Sequence, residues 1–173
     1  AVGCTPEERH ILEAASILHD VGQLVSYKSH HRHSYQLIMH ADRIGLGARE
    51  RSLVALVSRY HRRRGPKRSD PEFAALSPDD QALVRRTAGL LRVADGLDRG
   101  HTAVVDQVRA ELTRKKLVLR IAPRRAGANM ELEGWAARRK ADVLQKVLGR
   151  KITINASLAL PDKPAAGERR RVT

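Results

Sequence analysis

The stretch from Ser77 to Arg99, SPDDQALVRRTAGLLRVADGLDR, decides the fold class of this chain. Ser77 can cap a helix, Pro78 suits the first helical position, and two aspartates follow in the first turn. Apolar residues then recur at helical spacing, at Leu83, Val84, Ala88, Leu91, Ala94 and Leu97. The stretch therefore predicts a long helix with one apolar stripe.

Three further helices are predicted upstream of this stretch, because apolar residues keep the same spacing there. They are expected to run, in order, from Thr5 to Gly22 behind a capping box, from His33 to about Gly45, and from Gly47 to His61. Gly65 and Pro66 break the pattern, so Arg62 to Asp70 is predicted to be a loop. The first hundred residues are thus predicted to be helical.

The pattern changes near His101. Apolar and polar residues alternate before and after a basic turn at Arg114 to Lys116, which is typical of a β-hairpin. A helix from Trp135 to Leu148, closed by Gly149, and a last strand from Ile152 to Ala156 are predicted to follow. This part is therefore expected to be a small ββαβ unit.

The composition excludes several classes of protein. The 173 residues are 42% hydrophobic, which is too apolar for a disordered chain, yet no run is long enough for a membrane span. The first residues lack the pattern of a signal peptide, and the single Cys4 allows no internal disulfide or thiolate cluster. A reducing, cytoplasmic location is expected.

The charge points to an anionic partner. Lys and Arg number 33 against 19 acids, for a net charge of +14. Such an excess attracts anions over a long range, and the planar guanidinium group matches two phosphate oxygens at once. A codon bias could explain why Arg exceeds Lys, but it does not explain the net charge.

Histidines and aspartates on helices are the candidate chemical groups. His19 continues the apolar stripe of the first helix next to Asp20, and Asp95 continues the stripe of the long helix. A carboxylate among apolar residues is costly unless it is paired or binds a metal. His33 and His61 lie at predicted helix ends. Imidazole and carboxylate together suit Mn²⁺, Fe²⁺ or Zn²⁺.

Alternatives to a metal site stay open at this level. Asp95 could pair with one of the many arginines. Most histidines on helices are structural or solvated, and we keep that interpretation for His30, His31 and His40 as far as metal binding is concerned.

Five stretches resemble known families. The run Ala14 to Gly22, AASILHDVG, resembles the signature of the HD-domain superfamily of metal-dependent phosphohydrolases. Four more stretches, in the same order, resemble the C-terminal region of the exopolyphosphatase / guanosine pentaphosphatase family: Ser26 to Ile38, Ala55 to Arg62, Phe73 to Ser77, and Leu90 to Arg99. The resemblance extends from about Glu7 to Ala156.

The resemblance implies a mainly α fold, an HD-domain-like helical bundle, followed by a small α+β (ββαβ) subdomain. The implied divisions are an HD-like domain at residues 1–102, with its first helix upstream of the chain, the subdomain at 103–160, and a basic disordered tail at 161–173. In that family the catalytic site lies in N-terminal actin-like domains that use Mg²⁺. No such domains are recognisable here, so the chain is expected to be a C-terminal piece.

The HD resemblance also assigns metal-ligand positions. By matching motifs, His19, Asp20 and Asp95 would bind a metal such as Mn²⁺, and His33 and His61 correspond to accessory histidines. HD enzymes take a further histidine from an upstream helix, for which His10 is a poor substitute. We therefore expect a weakened or silent metal site.

A basic patch is expected beside the His-Asp doublet and is assigned to polyphosphate. Its residues are His30, His31, Arg32, Arg59, Arg62, Arg63, Arg64, Lys67 and Arg68. Polyphosphate has no bases, so its recognition needs cations and no aromatic platform. Only 3% of the residues are aromatic, which is too few to stack single-stranded nucleic acid.

The leading hypothesis is a C-terminal region that binds polyphosphate and supports a homodimer, while absent catalytic domains hydrolyse terminal phosphates of polyphosphate or pppGpp. The alternative is a free-standing HD phosphohydrolase acting on a nucleotide. A module that binds nucleic acid is the third hypothesis, and it leaves His19, Asp20 and Asp95 unexplained.

Overall fold

A computed structural model describes residues 4–157 of the chain, and the predicted tail at 161–173 lies outside them. The elements are α1 (Pro6–Leu18), a 3-10 helix (Val21–Leu24), α2 (His30–Met39), α3 (Ala48–Tyr60), α4 (Pro71–Ala74), α5 (Pro78–Leu97), β1 (Val105–Leu112), β2 (Lys116–Pro123), α6 (Glu131–Lys140), α7 (Asp142–Leu148) and β3 (Lys151–Ala156). The predicted fold class, a helical bundle followed by a small α+β subdomain, is confirmed.

The starts of α1 and α5 follow the predicted caps, but three boundaries in α1 and α2 differ. Thr5 and Glu8 form the predicted capping box at the start of α1. That helix ends at Leu18, because the chain tightens into the 3-10 helix. The second helix starts at His30, three residues before the predicted His33, and it ends at Met39 rather than near Gly45. His30 and His31, in the first turn of α2, are buried.

The predicted helix from Trp135 to Leu148 also differs, since it begins earlier and is interrupted. It consists of α6 and α7, which are separated at Ala141. Gly149 closes α7 in the left-handed conformation, as the sequence predicts for a helix end.

The first core lies among α1, α2, α3 and α5. Its buried residues include Ile11, Ile38, Phe73 and the central residues of α3. In α3, every residue from Leu53 to Ser58 is buried, because neighbouring helices cover this helix on several sides. This core sets the mutual positions of the three helices that carry the histidines.

The second core lies between the sheet and the helices α5, α6 and α7. The sheet has the order β1-β2-β3, with β2 antiparallel to β1 and parallel to β3. Ile121 and Ile154 face this core together with Val93 and Leu97 of α5. Helix α5 therefore contributes to both cores, and the division at 102/103 stays a prediction.

A glycine of α5 allows the two parts of the chain to approach closely. A Cβ on Gly96 would lie 2.5 Å from Cα of Ala137 in α6, which is far inside contact distance. The backbones of α5 and α6 therefore touch at this point, next to Asp95 and three residues before Lys140. Within residues 4–157, no helix is both long and apolar enough to cross a membrane.

The close approach predicts opposite effects for two glycine substitutions in helices. Gly96→Ala is expected to lower the free energy of unfolding by about 1–3 kcal/mol, because backbone atoms of α6 must shift. Gly134→Ala in α6 is the matched control, since its Cβ would meet only the flexible end of Arg138. Because alanine has a better helix propensity than glycine, Gly134→Ala is expected to raise the free energy of unfolding by up to about 1 kcal/mol. Urea unfolding measures the free energy of unfolding of both variants. A Gly96→Ala variant more stable than the wild type would contradict the close contact between α5 and α6.

Candidate functional site

The end of α1 is held against the start of α2, which places His19 and Asp20. The Ser34 hydroxyl donates to the carbonyl oxygen of His19 at 2.5 Å and accepts from the amide of Gly22 at 2.9 Å. A Cβ on Gly22 would lie 2.2 Å from the carbonyl oxygen of His30, so only glycine fits there. The doublet and the first turn of α2 are therefore in direct contact.

Three imidazoles gather around Asp20, and they are oriented in the same way. Nδ1 faces the backbone carbonyl oxygen three residues earlier in each case, at 2.8 Å in His19, 3.1 Å in His30 and 2.5 Å in His61. Their Nε2 atoms lie 3.7, 3.0 and 3.6 Å from carboxylate oxygens of Asp20. A contact between Nδ1 and a carbonyl fixes the ring orientation and turns Nε2 toward a ligand, although Nδ1 of His30 also lies 3.2 Å from a guanidinium nitrogen of Arg62.

His61 is the most deeply buried of these groups, with 1% of its side chain exposed. Burial lowers the pKa of His61 to about 4, so its imidazole is neutral at pH 7. Its Nε2 lies 3.1 Å from Nε2 of His30. The Oδ1 atom of Asp20 is buried and has no hydrogen-bond partner in the described part of the chain.

Asp95 lies in the same pocket, but a cation from α6 already holds it. The Lys140 ammonium forms an ion pair with its carboxylate. Burial alone would raise the pKa of Asp95, but the Lys140 ammonium outweighs burial and holds this pKa below its usual range. The sequence alternative, in which Asp95 pairs with an arginine, is therefore right about an ion pair but wrong about the partner, which is Lys140.

The structure thus brings together a different set from the one that the sequence suggested. Asp20, His30 and His61 each offer a ligand atom within 4.8 Å of the others, and His19 lies beside them. His33 lies outside this group, since it is only half-buried and its Cβ faces Gly22. Sequence reasoning gave His30 to polyphosphate and overlooked Lys140. In the sequence, the only feature that singles out His30 as a possible ligand is its place in a His-rich run.

The donor set fits a divalent cation. The three ligand atoms are 3.0, 3.1 and 3.6 Å apart. Bonds of about 2.05 Å in a tetrahedral site put neighbouring ligand atoms about 3.3 Å apart, which is close to these values. Two imidazole nitrogens and one carboxylate oxygen suit Zn²⁺, Mn²⁺ or Co²⁺ better than Mg²⁺. The residues that would hold a metal are therefore Asp20, His30 and His61.

A second pocket adjoins this one and is lined by cationic side chains. Its lining residues are His31, Arg32, Arg59, Tyr60, Arg62, Arg63 and Arg64. None of them is acidic, so the pocket presents donors and positive charge alone. Arg62 also lines the histidine pocket, where its guanidinium lies over the ring of Tyr27.

The arginines of this cationic pocket fall into two groups. Arg59 pairs with Glu72 at 3.0 Å, and Arg64 pairs with Asp70. Among residues 4–157, by contrast, no carboxylate forms an ion pair with Arg32, Arg62 or Arg63. These three guanidinium groups are therefore the ones without an acidic partner, and of them Arg62 also lies 3.2 Å from Nδ1 of His30.

Other residues predicted to bind polyphosphate lie differently. Lys67 is exposed and lines a neighbouring groove with Arg64 rather than the cationic pocket. Arg68 is exposed and lines neither. His31 is 6% exposed, and its Nδ1 has no partner in the described structure. Burial and the surrounding cations lower the pKa of His31 to about 4, so its ring adds no positive charge at pH 7.

Two buried groups hold the loop that carries these arginines. Arg92 of α5 donates to the carbonyl oxygens of Tyr60 and Arg63 at 3.1 and 3.0 Å. Asp70 accepts from the Tyr60 hydroxyl at 2.9 Å and from the Lys67 amide at 3.0 Å, besides its pair with Arg64. The end of α3 and the start of α4 are thereby joined.

The Asp70 contacts predict a pH-dependent contribution to stability. The Arg64 guanidinium, with the Lys67 amide and the Tyr60 hydroxyl, holds the pKa of Asp70 well below its usual range. Because the folded pKa is the lower one, the stabilisation is complete above the unfolded value of about 3.9 and is lost as the pH falls through the folded value. Asp70→Asn is expected to cost about 2 kcal/mol at pH 7 in urea unfolding.

The difference between Asp70→Asn and the wild type should narrow below about pH 4. Asp106→Asn is the control, because its pair with Arg124 lies on the surface and should contribute less than about 0.5 kcal/mol. Equal effects of the two substitutions at pH 7 would contradict the structural role of Asp70.

Comparison with known proteins agrees with this architecture. The family described as Ppx/GppA phosphatase, domain III, matches residues 3–139. The match includes every residue of both pockets except Lys140.

Proposed function

Because the chain belongs to the Ppx/GppA phosphatase family, through domain III, we propose that it binds the phosphate chain of a polyanion for a phosphoanhydride hydrolase. The observation that carries this proposal is the cationic pocket, where Arg32, Arg62 and Arg63 face an opening without a carboxylate partner in the described chain. The substrate class is inorganic polyphosphate, or the 5′ phosphates of pppGpp. Hydrolysis itself is assigned to actin-like domains that use Mg²⁺.

The form of the pocket supports a phosphate ligand. Guanidinium groups bind phosphate oxygens through paired N–H donors, and several of them in one opening can follow successive phosphates. Arg59 and Arg64 are fixed by their carboxylates and frame the pocket. A neutral His31 can donate a hydrogen bond without adding to the repulsion among the arginines.

A metal-dependent phosphohydrolase acting on a nucleotide is the second candidate. Asp20, His30 and His61 favour it, because a metal bound there could polarise a phosphate. The pair between Asp95 and Lys140 weighs against it, since the carboxylate that the HD pattern assigns to the metal is already engaged. Homodimer formation stays a prediction that sedimentation of the chain would test.

Polyphosphate titration distinguishes a specific pocket from general attraction by the net charge. Replacing Arg32, Arg62 and Arg63 together by Gln is expected to weaken binding of long-chain polyphosphate at least tenfold, measured calorimetrically near 150 mM salt. The matched control replaces Arg114, Lys115 and Arg125 by Gln, which removes the same charge from exposed positions outside both pockets.

The control triple variant is expected to bind within about threefold of the wild type. Equal losses of polyphosphate affinity in the two triple variants would contradict specific binding in the cationic pocket and indicate attraction by net charge alone. Tighter binding of single-stranded DNA than of polyphosphate would contradict the substrate class and favour a nucleic-acid module.

A further inference from the structure

The histidine pocket contains an unusual combination of groups, because a cation of the chain lies next to a set of atoms that could bind a metal. Asp20, His30, His61, Asp95 and Lys140 all line it. The first three offer ligand atoms to a common point, whereas the last two are paired with each other. These two facts lead to an inference that goes beyond phosphate-chain binding and does not depend on it.

We propose that Asp20, His30 and His61 form a binding site for a borderline divalent cation, and that Lys140 limits its affinity by holding Asp95 away from the metal. The ligand set differs from the one that the HD motif assigns, because His30 replaces Asp95. The chain therefore carries an intrinsic positive charge at the edge of its metal site.

The three ligand atoms are arranged as a metal site requires. Their separations of 3.0 to 3.6 Å match one triangular face of a coordination sphere. Nδ1 of His61 contacts the carbonyl oxygen of Ser58, and Nδ1 of His30 contacts both the carbonyl oxygen of Tyr27 and the Arg62 guanidinium. Both rings thereby keep Nε2 toward Asp20. The Oδ1 atom of Asp20 is buried without a hydrogen-bond partner among the described residues. A cation would satisfy it.

Lys140 reaches the pocket because α6 packs closely against α5. Gly96 permits the backbone of α6 to touch α5, and Lys140 is the last residue of α6. Its side chain is 22% exposed, and the carboxylate of Asp95 is 12% exposed, so the pair is shielded from water on most sides. The ammonium neutralises Asp95 and repels a divalent cation in the same pocket.

Cobalt binding tests the proposal without any assay of activity, because Co²⁺ bound by nitrogen and oxygen ligands absorbs visible light. We expect the wild-type chain to bind Co²⁺ weakly and Lys140→Met to bind it roughly tenfold more tightly, since the repulsion is removed and Asp95 is freed as a counter-charge. A gain of affinity cannot result from unfolding. His10→Ala is the control, because His10 is exposed and does not line the pocket, and it should match the wild type.

Two variants in the Lys140→Met background identify the ligands. Adding His30→Ala should abolish the visible bands, whereas adding Asp95→Asn should keep their positions and return the affinity to within a few-fold of the wild type. Loss of the bands with Asp95→Asn would overturn the ligand set and restore the HD assignment. Absence of bands in both the wild type and Lys140→Met would overturn the site altogether, while leaving the polyphosphate titration unaffected.

Discussion

The buried guanidinium group of Arg92 is the interaction on which the arrangement of both pockets depends. It is 3% exposed and joins three segments: the end of α3, the arginine-rich loop after it, and Asp142 at the start of α7. Its two Nη atoms make these hydrogen bonds, whereas Nε is buried without a partner among the described residues. Because a buried charge is costly without such bonds, the guanidinium holds these three segments in place. His61 follows Tyr60 directly, and Arg62 and Arg63 come next. One side chain of α5 therefore positions a member of the histidine pocket together with two arginines of the cationic pocket.

Much of the architecture could be predicted from local sequence. The capping box at Thr5, the Pro78 helix start and the alternating strands around the turn at Arg114 each express a short-range preference that survives in the fold. The same is true of the loop from Arg62 to Asp70, which Gly65 and Pro66 exclude from a helix. The family could be identified because several such motifs occur in one order, and the family match supports that identification.

The composition of the histidine pocket could be predicted only in part, because contacts between distant segments decide it. His19, Asp20, Asp95 and His61 were expected to converge, and all lie in or beside the pocket. His30 takes the place expected for His33, because the first turn of α2 packs its backbone and the Cβ of His33 against Gly22, a contact between distant segments. The role of Lys140 could not be predicted from the sequence. No nearby motif indicates that Gly96 allows the end of α6 to approach Asp95. The pairing of Arg59 with Glu72 and of Arg64 with Asp70 likewise depends on the fold and could not be predicted from the sequence.

The central claim is that a phosphate chain binds to three particular arginines of domain III rather than to a generally basic surface. Modification of arginines by phenylglyoxal, followed by mass spectrometry with and without polyphosphate, tests it at the level of single side chains. The account predicts that polyphosphate protects Arg32, Arg62 and Arg63 and leaves Arg114 and Arg125 reactive. Equal protection of all exposed arginines, or protection of Arg114 and Arg125 alone, would contradict it.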